Sequence, residues 1–278
     1  MRSALVTGAS TGIGRATALG LDAAGWRVFA GVRRPEDGEA LAAAGERLVP
    51  LILDVTDPEQ IAAAAERIGT EGDGTLHGLV NNAGIAIPGP LETLPIEDFR
   101  RQVEVNLTAQ VAVTQAMLPL IRKGRGRVVF VSSVGGRVAV PINGAYHAAK
   151  FGLEAVGDVF RRELRPWGIS VSIVEPGSID TPIWERGERE GDAIEERAPE
   201  AQRQLYGQAI EGFRRTIRET AERGIPPEKA AAAIEHALTA ERPRTRYLVG
   251  AEAKVAGRLA KLLPTRLFDR ILAYATSR

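Results

Sequence analysis

The feature that most constrains the fold is an alternation of short apolar runs with longer amphipathic stretches. The runs are ALVT at 4–7, RVFAGV at 27–32, LVPLIL at 48–53, LHGLV at 76–80, RVVFVS at 127–132, ISVSIV at 169–174 and RYLVG at 246–250. Strands that alternate with helices predict repeated βαβ units, and nearly continuous apolar strands are typical of sheets covered on both faces. We therefore expect an α/β fold with one doubly wound (Rossmann-type), mostly parallel sheet of about seven strands.

Two segments depart from this rhythm within what we expect to be a single domain, residues 1–278. Residues 182–224 are rich in charge with few apolar anchors, and they leave the sheet at the carboxyl end of a strand, where open α/β sheets bind ligands. This favours a helical lid over a substrate; a solvated helical excursion is the alternative. Residues 251–278 form an amphipathic tail, with six basic and two acidic residues from position 252 onward. Its apolar stripe is expected to cover the substrate cleft or a subunit interface rather than to touch a membrane surface.

Composition excludes several classes of function. The 36 Lys and Arg residues balance 35 Asp and Glu residues, so no global field recruits nucleic acid. The absence of cysteine excludes disulfides, thiolate catalysis and cysteine-bound metals, and the three histidines show no paired-ligand spacing, so we expect no metal site. No apolar run approaches the ~20 residues of a membrane span, and the first strand begins too early for a signal peptide. The sequence predicts a cytoplasmic protein.

A glycine-rich turn, TGASTGIG at 7–14, follows the first predicted strand and leads into a helix. Where a strand turns into a helix, glycines let the backbone approach a pyrophosphate and direct the helix N-terminal amides at it. The spacing of Gly8, Gly12 and Gly14 is one residue longer than the familiar dinucleotide fingerprint. A simple tight turn is the alternative.

Arg33 and Arg34 follow the second strand, which should end near the adenosine ribose of a bound dinucleotide. A guanidinium can pair with a 2′-phosphate in a forked geometry, whereas a carboxylate would repel it. We therefore predict that NADP(H) is preferred to NAD(H). Solvated arginines after a strand are the alternative.

The stretch AYHAAKFG at 145–152 places Tyr146 and Lys150 four residues apart in a predicted helix, so that both side chains share one face. Such pairs occur by chance on many solvated helices, and the spacing alone does not identify a site. A free phenol has a pKa near 10, and a nearby cation favours the phenolate. If the pair is functional, Lys150 and the positive charge of a bound nicotinamide are together expected to make Tyr146 more acidic.

Taken together, the motifs resemble those of the short-chain dehydrogenase/reductase family, and the likeness extends through about residue 182. The motifs that carry it are TGASTGIG at 7–14, DV at 54–55, NNAG at 81–84, Asn106 in VNLT, VSS at 131–133, Tyr146 and Lys150 in YHAAK, and EPGSIDT at 175–181. The resemblance implies hydride exchange between a nicotinamide cofactor and a secondary alcohol or ketone, in a homodimer or homotetramer. RVFAGVRR and the tail look like the branch of retinol, 17β-hydroxysteroid and 3-hydroxybutyrate dehydrogenases, which suggests an apolar small-molecule substrate.

The resemblance also implies residue roles. Ser133 would hold the substrate oxygen, Tyr146 would exchange its proton, Lys150 would bind the nicotinamide ribose, and Asn106 would support that lysine through a water-linked relay. The expected cofactor contacts are Gly8, Ser10, Thr11, Gly12, Ile13, Gly14, Arg33, Arg34, Asp54, Val55, Asn82, Ala83, Gly84, Tyr146, Lys150, Pro176, Gly177, Ile179 and Thr181.

Two other functions fit the same fold. One is a nucleotide-binding regulator that has lost its chemistry, since fold does not determine function. The other is an isomerase or lyase that uses the nicotinamide transiently without net redox change. The intact Ser133, Tyr146 and Lys150 set argues against the regulator. Relatives of the isomerase or lyase kind usually have longer chains.

Overall fold

The computed structural model describes residues 1–276, and for residues 220–223 and 274–276 it describes the helical backbone only. The strands are β1 Ser3–Val6, β2 Arg27–Val32, β3 Leu48–Ile52, β4 Gly78–Asn81, β5 Arg127–Val131, β6 Ser170–Pro176 and β7 Arg246–Val249. The helices are α1 Gly12–Ala23, α2 Pro35–Ala42, α3 Pro58–Glu71, α4 Ile96–Val103, α5 Ala109–Gly124, α6 Gly144–Glu163, α7 Ile183–Arg197, α8 Glu200–Arg223, α9 Pro227–Thr239, α10 Ala251–Leu262 and α11 Thr265–Thr276.

The strands form one seven-stranded sheet in the order β3-β2-β1-β4-β5-β6-β7, and every pairing is parallel. The predicted doubly wound α/β fold is confirmed, with strand bounds that differ from the predicted ones by at most two residues. The strand order reverses beside β1, which pairs with β2 on one side and β4 on the other. Open α/β sheets bind ligands at the carboxyl side of such a reversal.

The core lies in two layers, one on each face of the sheet, because successive strand residues point to opposite faces. Val6 and Val80 pack with residues of α1 and α9 on one face. Leu5 and Phe29 pack with residues of α3, α5 and α6 on the other. Helices therefore cover both faces of the sheet, and the carboxyl ends of its strands remain available for a ligand site.

The segment predicted as a lid folds into α7 and α8. Close packing holds α7 against the loop that follows β4: a Cβ placed on Gly187 would lie 3.1 Å from the carbonyl oxygen of Ala86. An ion pair of 2.7 Å joins Arg101 of α4 to Glu190 of α7. These contacts place α7 over the carboxyl edge of the sheet.

The tail folds into α10 and α11, which separate at Pro264. α10 buries Ala253 against Gly177, while Val255 and Leu262 remain exposed. The last two residues of the predicted tail, 277–278, lie outside the described residues. Within residues 1–276, none of the helices combines the length and apolar content needed to cross a bilayer.

Candidate active site

A cavity of about 520 Å³ opens at the carboxyl ends of β1, β2, β4, β5 and β6, beneath α7. Most residues predicted to form the site line it: Gly8, Ser10, Thr11, Gly12, Ile13, Arg33, Asp54, Val55, Asn82, Ala83, Gly84, Asn106, Ser133, Tyr146, Lys150, Pro176, Gly177, Ile179 and Thr181. Gly14 and Arg34 are the two predicted residues that do not line it. Motifs spread over more than half of the sequence therefore meet in one space.

The glycine-rich turn has the backbone that its sequence requires. Gly8 and Gly12 lie at φ angles of +64° and +55°, in the left-handed region that other residues rarely adopt. A Cβ on Gly14 would lie 2.2 Å from the carbonyl oxygen of Gly8, so only glycine fits there. Gly14 thus permits close packing against the Gly8 carbonyl within the turn and does not itself face the cavity.

The first turn of α1 faces the cavity without a side-chain cap. Thr11 is the N-cap residue, yet its side chain makes no capping hydrogen bond, and no acidic side chain lies in the first turn. The N-terminal amides of a helix carry partial positive charge and need an acceptor. This end of α1 therefore suits an anion such as a pyrophosphate.

Asn82 and Thr7 join the turn to the end of β4. The Thr7 hydroxyl oxygen accepts hydrogen bonds from the backbone N–H groups of Asn82 and Ala83, at 2.9 and 3.0 Å. The Asn82 side-chain amide donates to the carbonyl oxygens of Thr7 and Gly8, at 2.9 and 3.1 Å. Asn82 thus acts as a brace for the glycine turn, a role that the NNAG motif alone does not reveal.

The two arginines after β2 have different surroundings. Arg33 is exposed and lines the cavity. Arg34 points elsewhere: its Nε and Nη2 atoms donate to the two carboxylate oxygens of Asp37, each at 2.9 Å. Contact of Arg34 with the ligand stays a prediction, and in the structure α2 begins at Pro35 and brings Asp37 within reach of the guanidinium.

Asp54, one of the predicted cofactor contacts, lies beyond the end of β3 and lines the cavity. Its Oδ1 atom accepts hydrogen bonds from the Thr56 backbone N–H and hydroxyl, at 2.9 and 2.7 Å. Its own N–H donates to the Gln60 side chain at 2.8 Å. The carboxylate is therefore held in place at the cavity wall.

Tyr146, Lys150 and Ser133 converge from α6 and the end of β5. The Lys150 Nζ atom lies 5.7 Å from the centre of the Tyr146 ring and donates to the Val131 carbonyl oxygen at 2.9 Å. The Ser133 hydroxyl accepts from the Gly135 N–H at 3.0 Å. All three side chains are buried. One turn of helix places the phenol and the ammonium in the same space, as the spacing predicted.

Burial dominates the pKa values of Tyr146 and Lys150. Burial raises the pKa of the Tyr146 phenol, and a hydrogen bond with Ser133 opposes that rise. Burial lowers the pKa of Lys150 to about 8, while the charge of Glu154 raises it. In the chain by itself the phenol is therefore protonated near neutral pH, and its acidification by Lys150 together with a bound nicotinamide stays a prediction.

Asn106 lies in a π-helical turn, Glu104–Thr108, between α4 and α5. Its side-chain oxygen accepts from the Ile85 N–H and its amide donates to the Ile85 carbonyl, both at 2.9 Å. The side chain is thus committed to the loop after β4. A link from Asn106 to Lys150 would have to use the main chain, and π-helical turns are frequent at functional sites.

Three side chains of α7 at the cavity were not predicted as site residues, although Trp184 is one of the apolar anchors of the predicted lid. The Trp184 ring centre lies 6.3 Å from that of Tyr146. The Arg186 Nη2 atom lies 3.5 Å from the Thr11 hydroxyl, across the mouth of the cavity. Glu190 pairs with Arg101 at the rim. Only the location of the segment after β6 could have pointed to them, since their contacts depend on how α7 packs.

The residues present fit a nicotinamide dinucleotide. The uncapped end of α1 suits the pyrophosphate, and exposed Arg33 suits a phosphate on the ribose. A Cβ on Gly8 would lie 2.9 Å from the Cα of Ala83, so glycine is required where the turn borders the cavity. Among the side chains that the structure describes, those of residues 1–219 and 224–273, no group of three or more His, Asp or Glu could hold a metal ion.

Comparison with known proteins finds relatives over almost the whole chain. The family profile described as short chain dehydrogenase matches residues 2–191. Retinol dehydrogenase 5 of Mus musculus is 42% identical over 281 residues, covering 98% of this chain and 88% of that protein. The NADPH-dependent 3-dehydrocapnine reductase of Ornithobacterium rhinotracheale is 35% identical, covering 98% of this chain and 96% of that protein. A solved structure of a short chain dehydrogenase from Burkholderia cenocepacia J2315, in complex with NADP, is 28% identical with a TM-score of 0.75, covering 98% and 99% of the two chains.

Proposed function

Because the chain belongs to the short-chain dehydrogenase/reductase family and is an NAD(P)-dependent oxidoreductase, we propose that it interconverts an apolar ketone and the corresponding secondary alcohol. The observation that carries this proposal is the meeting of Ser133, Tyr146 and Lys150 in the cavity that the uncapped end of α1 also faces. Proton donor and anion site share one space. We also propose that residues 1–278 act as one domain, with residues 182–224 as the substrate lid and 251–278 as an amphipathic tail.

The nicotinamide, when bound, exchanges a hydride with the substrate carbon. Tyr146 exchanges the proton: during reduction its hydroxyl donates to the carbonyl oxygen as negative charge develops there. Burial raises the pKa of Tyr146, so the phenol stays protonated near neutral pH and is ready to donate. The protonated phenol is therefore the form that the reduction step requires.

Ser133 and Lys150 orient and stabilise this exchange. The Ser133 hydroxyl oxygen accepts from the Gly135 N–H, and its O–H lies within reach of the Tyr146 hydroxyl and, at 3.5 Å, of the Pro176 carbonyl oxygen. A substrate oxygen beside Tyr146 can therefore receive this O–H. Lys150 brings a positive charge within one helical turn of the phenol, and that charge stabilises the phenolate left after proton donation. Asn106 holds the loop after β4 against α5.

The apolar substrate is supported by the wall of the cavity opposite the glycine turn. Ile85, Ala86 and Ile87 of the loop after β4 line it with Ile183 and Trp184 of α7. Relatives named retinol dehydrogenase 5 and 17-beta-hydroxysteroid dehydrogenase type 6 are consistent with an apolar substrate at this wall. A panel of ketones of rising apolar area, assayed for loss of reduced-nicotinamide absorbance, tests it. A preference for charged or sugar-like carbonyl compounds would contradict the proposal.

We propose that NADP(H) is the preferred cofactor, and Arg33 is the residue that supports it. Its guanidinium lies exposed at the cavity beyond β2, and such a group pairs with a 2′-phosphate. Comparing kcat/KM for NADPH and NADH with one ketone tests the preference. A higher value for NADH would refute it.

The proton role is tested by Tyr146→Phe. Loss of a general acid typically lowers turnover by about a hundredfold or more, while nucleotide binding should persist because the ring remains. Tyr247→Phe is the control: this tyrosine bonds His236 behind the sheet, at 2.9 Å, away from the cavity. Turnover by Tyr146→Phe within a few-fold of the control would contradict the assignment.

The same absorbance assay separates the other functions. An isomerase or lyase forms product without a net change in reduced nicotinamide, and a regulator forms none. The homodimeric or homotetrameric assembly and the cytoplasmic location stay predictions.

A further inference from the structure

Asp37 is the acceptor in a forked ion pair in which Arg34 is the donor. It lies in the first turn of α2, beside the cavity, and its carboxylate receives both donor atoms of the Arg34 fork at 2.9 Å. This is the forked geometry in which guanidinium groups also bind phosphates. Arg34 is therefore already occupied by an anion that the chain itself supplies.

Two further arginines face the same carboxylate. Arg33 precedes Arg34 and lines the cavity, and Arg186 of α7 reaches across it to within 3.5 Å of the Thr11 hydroxyl. The charges of Arg34, Arg186 and Arg33 all lower the pKa of Asp37, after the hydrogen bond from Arg34 itself. The Asp37 carboxylate therefore lies within the influence of three arginines, and Glu36 is the other acidic residue that acts on Arg34.

A ribose 2′-phosphate would compete with that carboxylate. The phosphate carries nearly two negative charges near neutral pH and accepts the same fork, so Arg34 can serve either anion but not both. A cofactor without this phosphate leaves the Arg34–Asp37 pair undisturbed. The Arg34–Asp37 pair should therefore affect the binding of NADP(H) and leave the binding of NAD(H) unchanged.

We propose that Asp37 is a specificity-determining residue, an internal counter-ion that holds Arg34 away from the cavity and so moderates the preference for NADP(H) over NAD(H). The inference rests on the proposed function, because it takes the cavity to be the dinucleotide site. Arg34 is 66% exposed in its side chain, so the pair has the modest strength of a surface ion pair. Such a pair corresponds to an effect of about five- to tenfold in affinity, once the repulsion between Asp37 and the phosphate is included.

Binding of two small probes tests the proposal without turnover. Calorimetry measures adenosine 2′,5′-bisphosphate and 5′-AMP on the wild type, on Asp37→Asn and on the control Glu36→Gln. Glu36 lies in the same helical turn and is exposed, and Glu36→Gln removes the same charge without breaking a fork. We expect Asp37→Asn to bind the bisphosphate about five- to tenfold more tightly and 5′-AMP unchanged, with less than about a twofold effect of Glu36→Gln. The gain should shrink at about 0.5 M salt.

Each contrary outcome has a definite meaning. Equal gains in the two variants would show a general charge effect and overturn the role of the fork. Unchanged or weaker bisphosphate binding by Asp37→Asn, with 5′-AMP binding intact, would overturn this inference alone. Loss of both probes in Asp37→Asn would make Asp37 a structural residue and overturn it as well. Binding of neither probe by the wild type would refute the cofactor site itself, and with it this inference.

Discussion

Replacing Lys150 with methionine should change how the stability of the protein depends on pH. The Lys150 side chain lies on α6, is 4% exposed, and its ammonium has one protein hydrogen-bond acceptor in the structure, the Val131 carbonyl oxygen. Burial lowers its pKa from 10.5 to about 8. Methionine has a similar length and carries no proton, so Lys150→Met removes this titration while keeping most of the apolar packing.

The magnitude follows from the difference between the two pKa values. A shift from 10.5 to about 8 corresponds to about 3 kcal/mol between the charged forms in the folded and unfolded chains. The unfolded chain keeps its proton to a higher pH than the folded chain, so the wild type gains stability as pH rises from about 8 to about 10.5. Between about pH 7 and about pH 9.5, the gain from this residue is about 2 kcal/mol.

Urea unfolding followed by circular dichroism measures the effect as a difference between variants. The unfolding free energy of Lys150→Met minus that of the wild type should fall by about 2 kcal/mol over that pH interval, because the contributions of groups common to both proteins cancel. Lys123→Met, at an exposed position on α5, provides the baseline. A difference for Lys150→Met that stays constant with pH, or that only parallels the baseline, would refute the argument from burial. The wild type should also be the more active enzyme, so the buried charge is retained for function at a cost in stability.

Two further predictions concern the glycine turn and the loop after β5. Gly14→Ala should weaken dinucleotide binding by about a hundredfold or prevent folding, because its Cβ would lie 2.2 Å from the Gly8 carbonyl oxygen. Gly20→Ala, on the same helix with its nearest atom at 4.0 Å, should bind normally and be more stable by about 0.5 kcal/mol; equal binding by both variants would refute the steric argument. His147 accepts a hydrogen bond from the Val140 N–H at 3.1 Å, and burial lowers its pKa from 6.5. The unfolding free energy should therefore fall as pH drops below about 6.5, and His147→Gln should remove part of that slope; an unchanged slope would count against it.

The elements that the sequence predicted well are those set by local pattern. The strands are short apolar runs, and the glycine turn needs left-handed backbone at Gly8 and Gly12, so both are visible in the chain itself. The ion pair of Arg34 is not visible in the motif, because its partner Asp37 lies three residues away in the first turn of a helix. The contacts of Arg186 could not be predicted, since they depend on how a charge-rich helix packs over a distant turn.

The pKa of Tyr146 depends on more than local pattern. Helical spacing places the lysine within reach of the phenol, and that much is local. Desolvation of the phenol depends on burial by α7 and by the loops around the cavity. Burial is a property of the whole fold, and no single motif reports it.

The catalytic side chains and part of the substrate wall lie on different helices, and this bears on how substrate preference can evolve. Tyr146 and Lys150 both lie on α6, which packs against the sheet through Leu153. The apolar wall of the cavity comes partly from the loop after β4 and partly from the separate helix α7, which the Arg101–Glu190 pair holds at the rim. If α7 is the substrate lid, as proposed, mutations in it should change which substrates bind while Tyr146 and Lys150 keep their positions. Substrate preference and proton transfer could then change independently, because different helices carry the residues responsible for them.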